Sequence, residues 1–298
     1  MLLLELLKLF NKPKSVFAPI PVFTISLFLL SNELRNFNLL PFLYALALTY
    51  PSIWASIFWN HTNDMEYDRG YADNILTLGV LKKEHAILIS ILLYAISILI
   101  SLLIYLYLRN PLIPIFLILW AIFTWIYSDR VFFGKFFKRL KDDWRGEVIT
   151  YSIAFPSYTL ALYLIMDNNL QKGLAVAFPM LFFGLSALLL KDIKDITEDR
   201  NAGLRTLGVV FSPSLLLRGS SHFLILYYLS IFLLTFFGLF KLSTLILIVP
   251  FSLFFVKTYL HFRKKNWEIE EEDLCAIQVM SFTTFSSLLL WGLANFLG

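Results

Sequence analysis

Among 298 residues there is one cysteine, Cys275, so the chain can form no internal disulfide and no thiolate zinc cluster. Charge is scarce as well, at 15% of residues against about 25% in a soluble domain. With 58% hydrophobic residues and a mean hydropathy of +0.72, that scarcity excludes a soluble protein. No segment between the apolar stretches is long enough to bury a core of its own, which leaves one integral membrane domain over 1–298. Met1 to Phe10 lacks the basic start and the A-x-A-like cleavage site of a signal peptide, and with Glu5 and Lys8 it reads as an interfacial helix. The middles of the apolar stretches are nearly free of charge, unlike those of a transporter. The D-G-x-x-A-R signature of phosphatidyl-group transferases, which also set aspartates around two metals, is missing.

What the chain has in quantity is apolar length. A helix needs about 20 mostly apolar residues to cross the hydrocarbon core. Nine stretches meet or approach that: Ser15 to Ser31, Leu39 to Trp59, His85 to Leu108, Pro111 to Ser128, Val148 to Met166, Gly173 to Leu190, His222 to Leu239, Leu242 to Val256 and Ala276 to Leu297. The expected fold is an all-α polytopic membrane protein, a bundle of nine transmembrane helices with kinks at internal prolines. The eighth stretch is short, with Lys241 and Lys257 placed to snorkel from its ends. Aromatic residues make up 17% of the chain and suit the lining of apolar cavities.

Lysine and arginine divide unevenly: 21 of the 25 fall at the N-terminus or in the even-numbered connections. The rule that basic loops stay inside places the N-terminus and these connections in the cytoplasm and the C-terminus on the other side. Membrane lipids or an anionic substrate, and not nucleic acid, are the expected partners of that basic face.

Two places bring several carboxylates to the end of a span, both on the basic side. The first is Asn60, Asp64 and Asp68, and the second is Asp192, Asp195 and Asp199. On a helix turning about 100° per residue, the first set lies within an arc of about 80° and the second within about 60°. Asp64-x-x-x-Asp68-Arg69 is followed by Thr77-Leu78-Gly79-Val80, and Asp195-x-x-x-Asp199-Arg200 by Thr206-Leu207-Gly208-Val209. Such recurrence four spans later predicts a pseudo-repeat of two four-helix halves whose carboxylates converge on one cavity. Hard oxygen donors without His or Cys suit magnesium held together with substrate phosphates. Two such sets facing one another suit a diphosphate, and the Phe-rich helices suit an isoprenoid tail.

At these residues the chain resembles the UbiA superfamily of intramembrane prenyltransferases. The matching motifs are N-x-x-x-D-x-x-x-D after the second span and D-x-x-D-x-x-x-D after the sixth. The resemblance implies magnesium bound by Asn60, Asp64, Asp68, Asp192, Asp195 and Asp199, with Asp64, Asp68, Asp195 and Asp199 catalytic. A prenyl diphosphate would ionise to an allylic cation, captured by a lipophilic acceptor such as a quinone-precursor aromatic ring or a prenylated glycerol phosphate. Tyr127-Ser128 followed by Arg139-Leu140-Lys141 matches a further family element, which implies substrate binding by Asn60, Tyr127, Arg139 and Lys141. The chain departs from many relatives after Tyr127-Ser128, where Asp129 to Lys135 replaces a Pro-Pro pair, and in the loop after the first motif, where an Arg-Pro pair is missing. The competing reading is a non-catalytic isoprenoid-binding or transport protein. His61 stands beside the first motif, and the acidic run Glu268 to Asp273 reads as a solvated loop or an interfacial helix.

Overall fold

The computed structural model describes residues 19–32, 38–66, 76–77 and 79–298. Among these, every regular element is helical, and a lone bridge between Asp143 and Arg205 is the sole strand-like contact. The helices that form the bundle are α1 (Pro19–Ser31), α2 (Leu40–Asp64), α3 (Lys83–Leu108), α4 (Leu112–Ser128), α5 (Trp144–Met166), α6 (Leu170–Asn201), α7 (Pro213–Phe236), α8 (Leu242–Lys264) and α9 (Leu274–Leu297). From α2 onward, each of the eight is long and apolar enough to cross a membrane, while α1 is a shorter apolar helix within the described residues. This is an integral, multi-pass membrane protein. The expected interfacial helix at Met1 to Phe10 lies outside the described residues, as do Asp68 and Arg69.

Lipid inverts the usual amphipathic pattern. Along α3, Leu88, Leu92, Leu99 and Leu103 face outward, and Ser90, Tyr94, Ser97 and Ser101 are buried. Hydrocarbon gives apolar side chains no reason to leave the surface, so small and hydroxyl-bearing residues take the helix contacts. The serine hydroxyls are satisfied within the helix, Ser90 donating to the Ala86 carbonyl at 2.9 Å and Ser97 to that of Leu93 at 2.8 Å, while Tyr94 donates to Thr124 of α4 at 3.0 Å. The same economy joins α6 to α7, where the Ser186 and Ser220 hydroxyls meet at 2.9 Å. It joins α7 to α9 through Tyr227 and Ser287 at 3.1 Å.

First and last helices pack together. A side chain at Gly292 of α9 would place its Cβ 2.9 Å from the Ser26 carbonyl oxygen of α1, so the backbones approach as closely as glycine permits. Asn295 then donates to the Leu30 carbonyl at 2.9 Å. Helices α2, α5 and α6 run on through Pro51, Pro156 and Pro179, which packing by neighbours makes tolerable in a membrane.

Several boundaries differ from the hydropathy reading, and α7 starts at Pro213, nine residues before His222. Helix α2 continues past Trp59 to Asp64, and α6 continues past Leu190 to Asn201, so Asn60 and Asp64 of the first motif and all three aspartates of the second project on helices. The eighth span extends past Val256 to Lys264, because a π-helical turn at Phe255–Tyr259 carries Lys257 within a continuous helical run.

Candidate active site

The polar ends of α2 and α6 border one cavity of about 430 Å³. Its lining includes Asn60, Asp64, Arg139, Lys141, Asp195 and Asp199. Beneath it lies a second cavity of about 530 Å³, walled by Phe23, Trp120, Phe155, Tyr158 and Phe183 among others. The two share Asn60, His61, Lys141 and Lys191. A charged head and an apolar tail could therefore be held end to end.

The loop between α4 and α5 supplies the cations. Asp64 is buried and both of its oxygens are taken: Arg139 Nη1 donates to Oδ1, and Lys141 Nζ donates to Oδ2. Arg139 also donates through Nε to Asp142 Oδ1 at 2.6 Å. Burial alone would lower the pKa of the Arg139 guanidinium, but the two carboxylates raise it, so the ion stays charged. Lys141 reaches Asn60 Oδ1 at 3.3 Å, and Ser128 donates to the same oxygen at 2.9 Å. One end of α2 thus gathers Ser128 of the Tyr-Ser motif and both basic residues singled out in the sequence.

Helix α6 contributes the other side. Lys191 lies 3.4 Å from Asp192 Oδ1 and 3.1 Å from Asp195 Oδ2. Asp199 Oδ2 accepts the Thr206 hydroxyl at 2.8 Å. The second Thr-Leu-Gly-Val segment therefore folds back on the motif it follows. Gly208 is needed there, since a Cβ would come within 2.3 Å of the Asp192 carbonyl oxygen.

Asp192 is fully buried, and its Oδ2 has no hydrogen-bond partner. An orphaned carboxylate oxygen beside other oxygen donors fits a hard divalent cation such as magnesium in kind. Among the described residues, however, no group of three or more acidic, histidine or cysteine side chains is gathered closely enough to cage a metal. Asp64 itself is paired with Arg139 and Lys141.

Sequence reasoning passed over two residues. Glu147, fully buried in the first turn of α5, accepts the Tyr127 hydroxyl at 3.3 Å through Oε1 and the Leu207 N–H at 3.0 Å through Oε2. The signal was a carboxylate directly before an apolar span. Lys191, counted above for topology alone, lines both cavities. Arg200 is exposed, and nothing places it at either cavity.

The acidic run near the C-terminus is not simply solvated. Asp273 is buried and takes His261 Nε2 at 2.6 Å and Lys265 Nζ at 2.9 Å. Lys265 also bonds Glu270 at 2.5 Å. Burial by itself would raise the Asp273 carboxyl, but the hydrogen bonds from His261, Lys265 and the Glu270 N–H outweigh it and bring it to about 2.

A model of the UbiA prenyltransferase family matches residues 19–291. The chain belongs to this family. A protein of Archaeoglobus fulgidus described as uncharacterized is 28% identical over 296 residues, covering 98% of this chain and 99% of that protein. A solved structure concerned with digeranylgeranylglyceryl phosphate synthase in membranes is similar with a TM-score of 0.70 at 18% identity, covering 98% of this chain and 97% of that one. A UbiA homolog from Archaeoglobus fulgidus, solved bound to GPP and Mg2+, is similar with a TM-score of 0.67, also at 18% identity, covering 98% and 99%.

Proposed function

We propose that this protein transfers a prenyl group from a prenyl diphosphate to a lipophilic acceptor, with magnesium as the metal. The observation that carries this reading is the junction of the carboxylate-lined cavity with the aromatic one at Asn60, His61, Lys141 and Lys191. Family membership and the GPP and Mg2+ bound to the similar Archaeoglobus protein support it.

In this reading the diphosphate lies among Arg139, Lys141 and Lys191, and the tail runs between Trp120, Phe155, Tyr158 and Phe183. Arg139 and Lys141 exchange Asp64 for the incoming phosphate oxygens, which frees Asp64 to join Asp68, Asp192, Asp195 and Asp199 as metal ligands. Bound there, magnesium would offset the charge building up on the departing diphosphate oxygens. The C1–O bond breaks with its electron pair going to the diphosphate, which Lys141 and Lys191 hold by charge-assisted hydrogen bonds. The allylic cation is left against the ring faces, whose quadrupoles favour it. The apolar wall keeps out water that would capture it. The acceptor then bonds to C1 and passes a proton to the released diphosphate.

The excess of lysine and arginine in the connections that follow α2 and α6 supports a cytoplasmic site. The test incubates purified protein in bilayers with magnesium, prenyl diphosphates of several lengths, and either aromatic quinone precursors or a prenylated glycerol phosphate. Mass spectrometry of the lipids should show a prenylated acceptor and released diphosphate, both lost in EDTA. Donor binding without product from any acceptor would leave an isoprenoid-binding protein. Undiminished donor binding in EDTA would overturn the metal site.

A further inference from the structure

The loop from α4 to α5 does more than deliver Arg139 and Lys141. Between them and α4 lies a turn that neither cavity uses. Phe133, Phe136 and Phe137 are 56%, 80% and 73% exposed, and Lys135 and Lys138 are exposed beside them. From 130 to 141 there is no acidic residue.

This turn is built and held. The Asp129 carboxylate accepts the N–H groups of Val131, Phe132 and Phe133 at 2.8–2.9 Å. The Phe133 carbonyl accepts those of Phe136 and Phe137, both at 2.9 Å. Gly134 sits so near the Asp129 carbonyl oxygen that a Cβ would fall 2.2 Å from it. The Arg130 N–H donates to Asn63 at 2.7 Å, tying the turn to the end of α2. The phenyl rings therefore face outward from a fixed frame, although a loose segment could have folded them in.

The position of the turn names its occupant. At 1.5 Å per residue the 17 residues of α4 span about 26 Å, against about 30 Å of hydrocarbon, so the chain leaves α4 at the boundary of the bilayer. Rings interleaved with lysines suit that boundary, where rings enter the acyl region and ammonium groups meet anionic phosphates.

We propose that residues 130–138 are an interfacial anchor, inserting Phe133, Phe136 and Phe137 into the bilayer on the side of the two acidic motifs and setting Lys135 and Lys138 on anionic lipid headgroups. Seated in this way, the turn fixes the height at which Arg139 and Lys141 meet Asp64.

The test uses full-length protein with Cys275→Ser, carrying a nitroxide at Phe136→Cys or Phe137→Cys. The protein is reconstituted in bilayers of phosphatidylcholine alone or mixed with phosphatidylglycerol. Collisions with oxygen, which partitions into lipid, are compared with those of a water-soluble nickel chelate, and Glu272→Cys on the exposed C-terminal loop serves as the aqueous reference. Labels at both Phe positions should favour oxygen severalfold over the reference and shift further toward oxygen when phosphatidylglycerol is present. Adding Lys135→Ser and Lys138→Ser should abolish the further shift and keep the preference. Nickel access equal to that at 272 would overturn the anchor and assign the turn to a soluble partner. An oxygen preference indifferent to phosphatidylglycerol would overturn the ionic part.

Discussion

Arg139 Nη1 donates to Asp64 Oδ1 at 2.5 Å although 75 residues separate them in sequence, and both side chains are buried. Removing one member of a buried pair leaves the other charge under-compensated, which costs on the order of 3 kcal/mol. Arg139→Ala should therefore lower the apparent Tm of the ligand-free protein, followed by tryptophan fluorescence. With Asp64→Asn added, the loss should be smaller than the sum of the single losses. Simple additivity would show that the two do not interact.

Asp68→Asn and Asp199→Asn each remove one negative charge while keeping shape. In the proposed reaction each should slow diphosphate release from an allylic donor by roughly a hundredfold or more, with magnesium and acceptor saturating. Glu272→Gln, at a carboxylate 80% exposed to solvent, is the matched control and should leave the rate unchanged. Equal rates in all three would reduce the carboxylates to helix caps.

Ala154 lines the aromatic cavity on α5. Ala154→Phe should shorten the donor tail that is accepted, lowering kcat/KM for long donors and sparing the shortest. The check is a series of donors differing by one isoprene unit. A uniform loss across the series would place the tail elsewhere.

The loop 265–273 should keep its order over a wide pH range. The Asp273 carboxyl is held at about 2, so its stabilisation is complete above the unfolded value near 4 and fades as pH falls from there toward 2. Hydrogen bonds to Glu270 and Asp273 raise the Lys265 ammonium, so its share is complete below about 10 and is lost in stronger alkali. Fluorotryptophan NMR, with the buried Trp267 assigned by Trp267→Phe, should show one environment between these limits. Disordering of the loop between these limits, seen as an exchange-broadened or solvent-exposed Trp267 signal, would contradict this pairing.

Hydropathy located the spans well because lipid selects composition directly. Their ends were harder to place. Apolar scanning stops at Trp59 and Leu190, yet a helix needs no lipid to continue, and α2 and α6 carry Asp64 and Asp199 beyond those points. Motif spacing brought Asn60, Ser128, Arg139 and Lys141 to notice, and the fold gathers them around one end of α2. Glu147 escaped notice because its partners are distant in sequence, and the bond from Thr206 to Asp199 could not be read from the repeated segment because no local pattern reveals the path of the turn between them. Asp273 read as solvated because a run of acids looks alike whether one member points inward or none does.

The contact between Glu147 and the Leu207 N–H spans 60 positions and has a consequence for how such a chain can diverge. The same carboxylate accepts from Tyr127 on the wall of the aromatic cavity. Inserting or deleting a residue between Asn201 and Thr206 would withdraw the backbone donor, leaving a buried Glu147 oxygen without a partner beside its bond to Tyr127. The length of a surface connection is therefore tied to the shape of an interior wall. Drift in that connection should be tolerated as substitutions long before it is tolerated as a change in length.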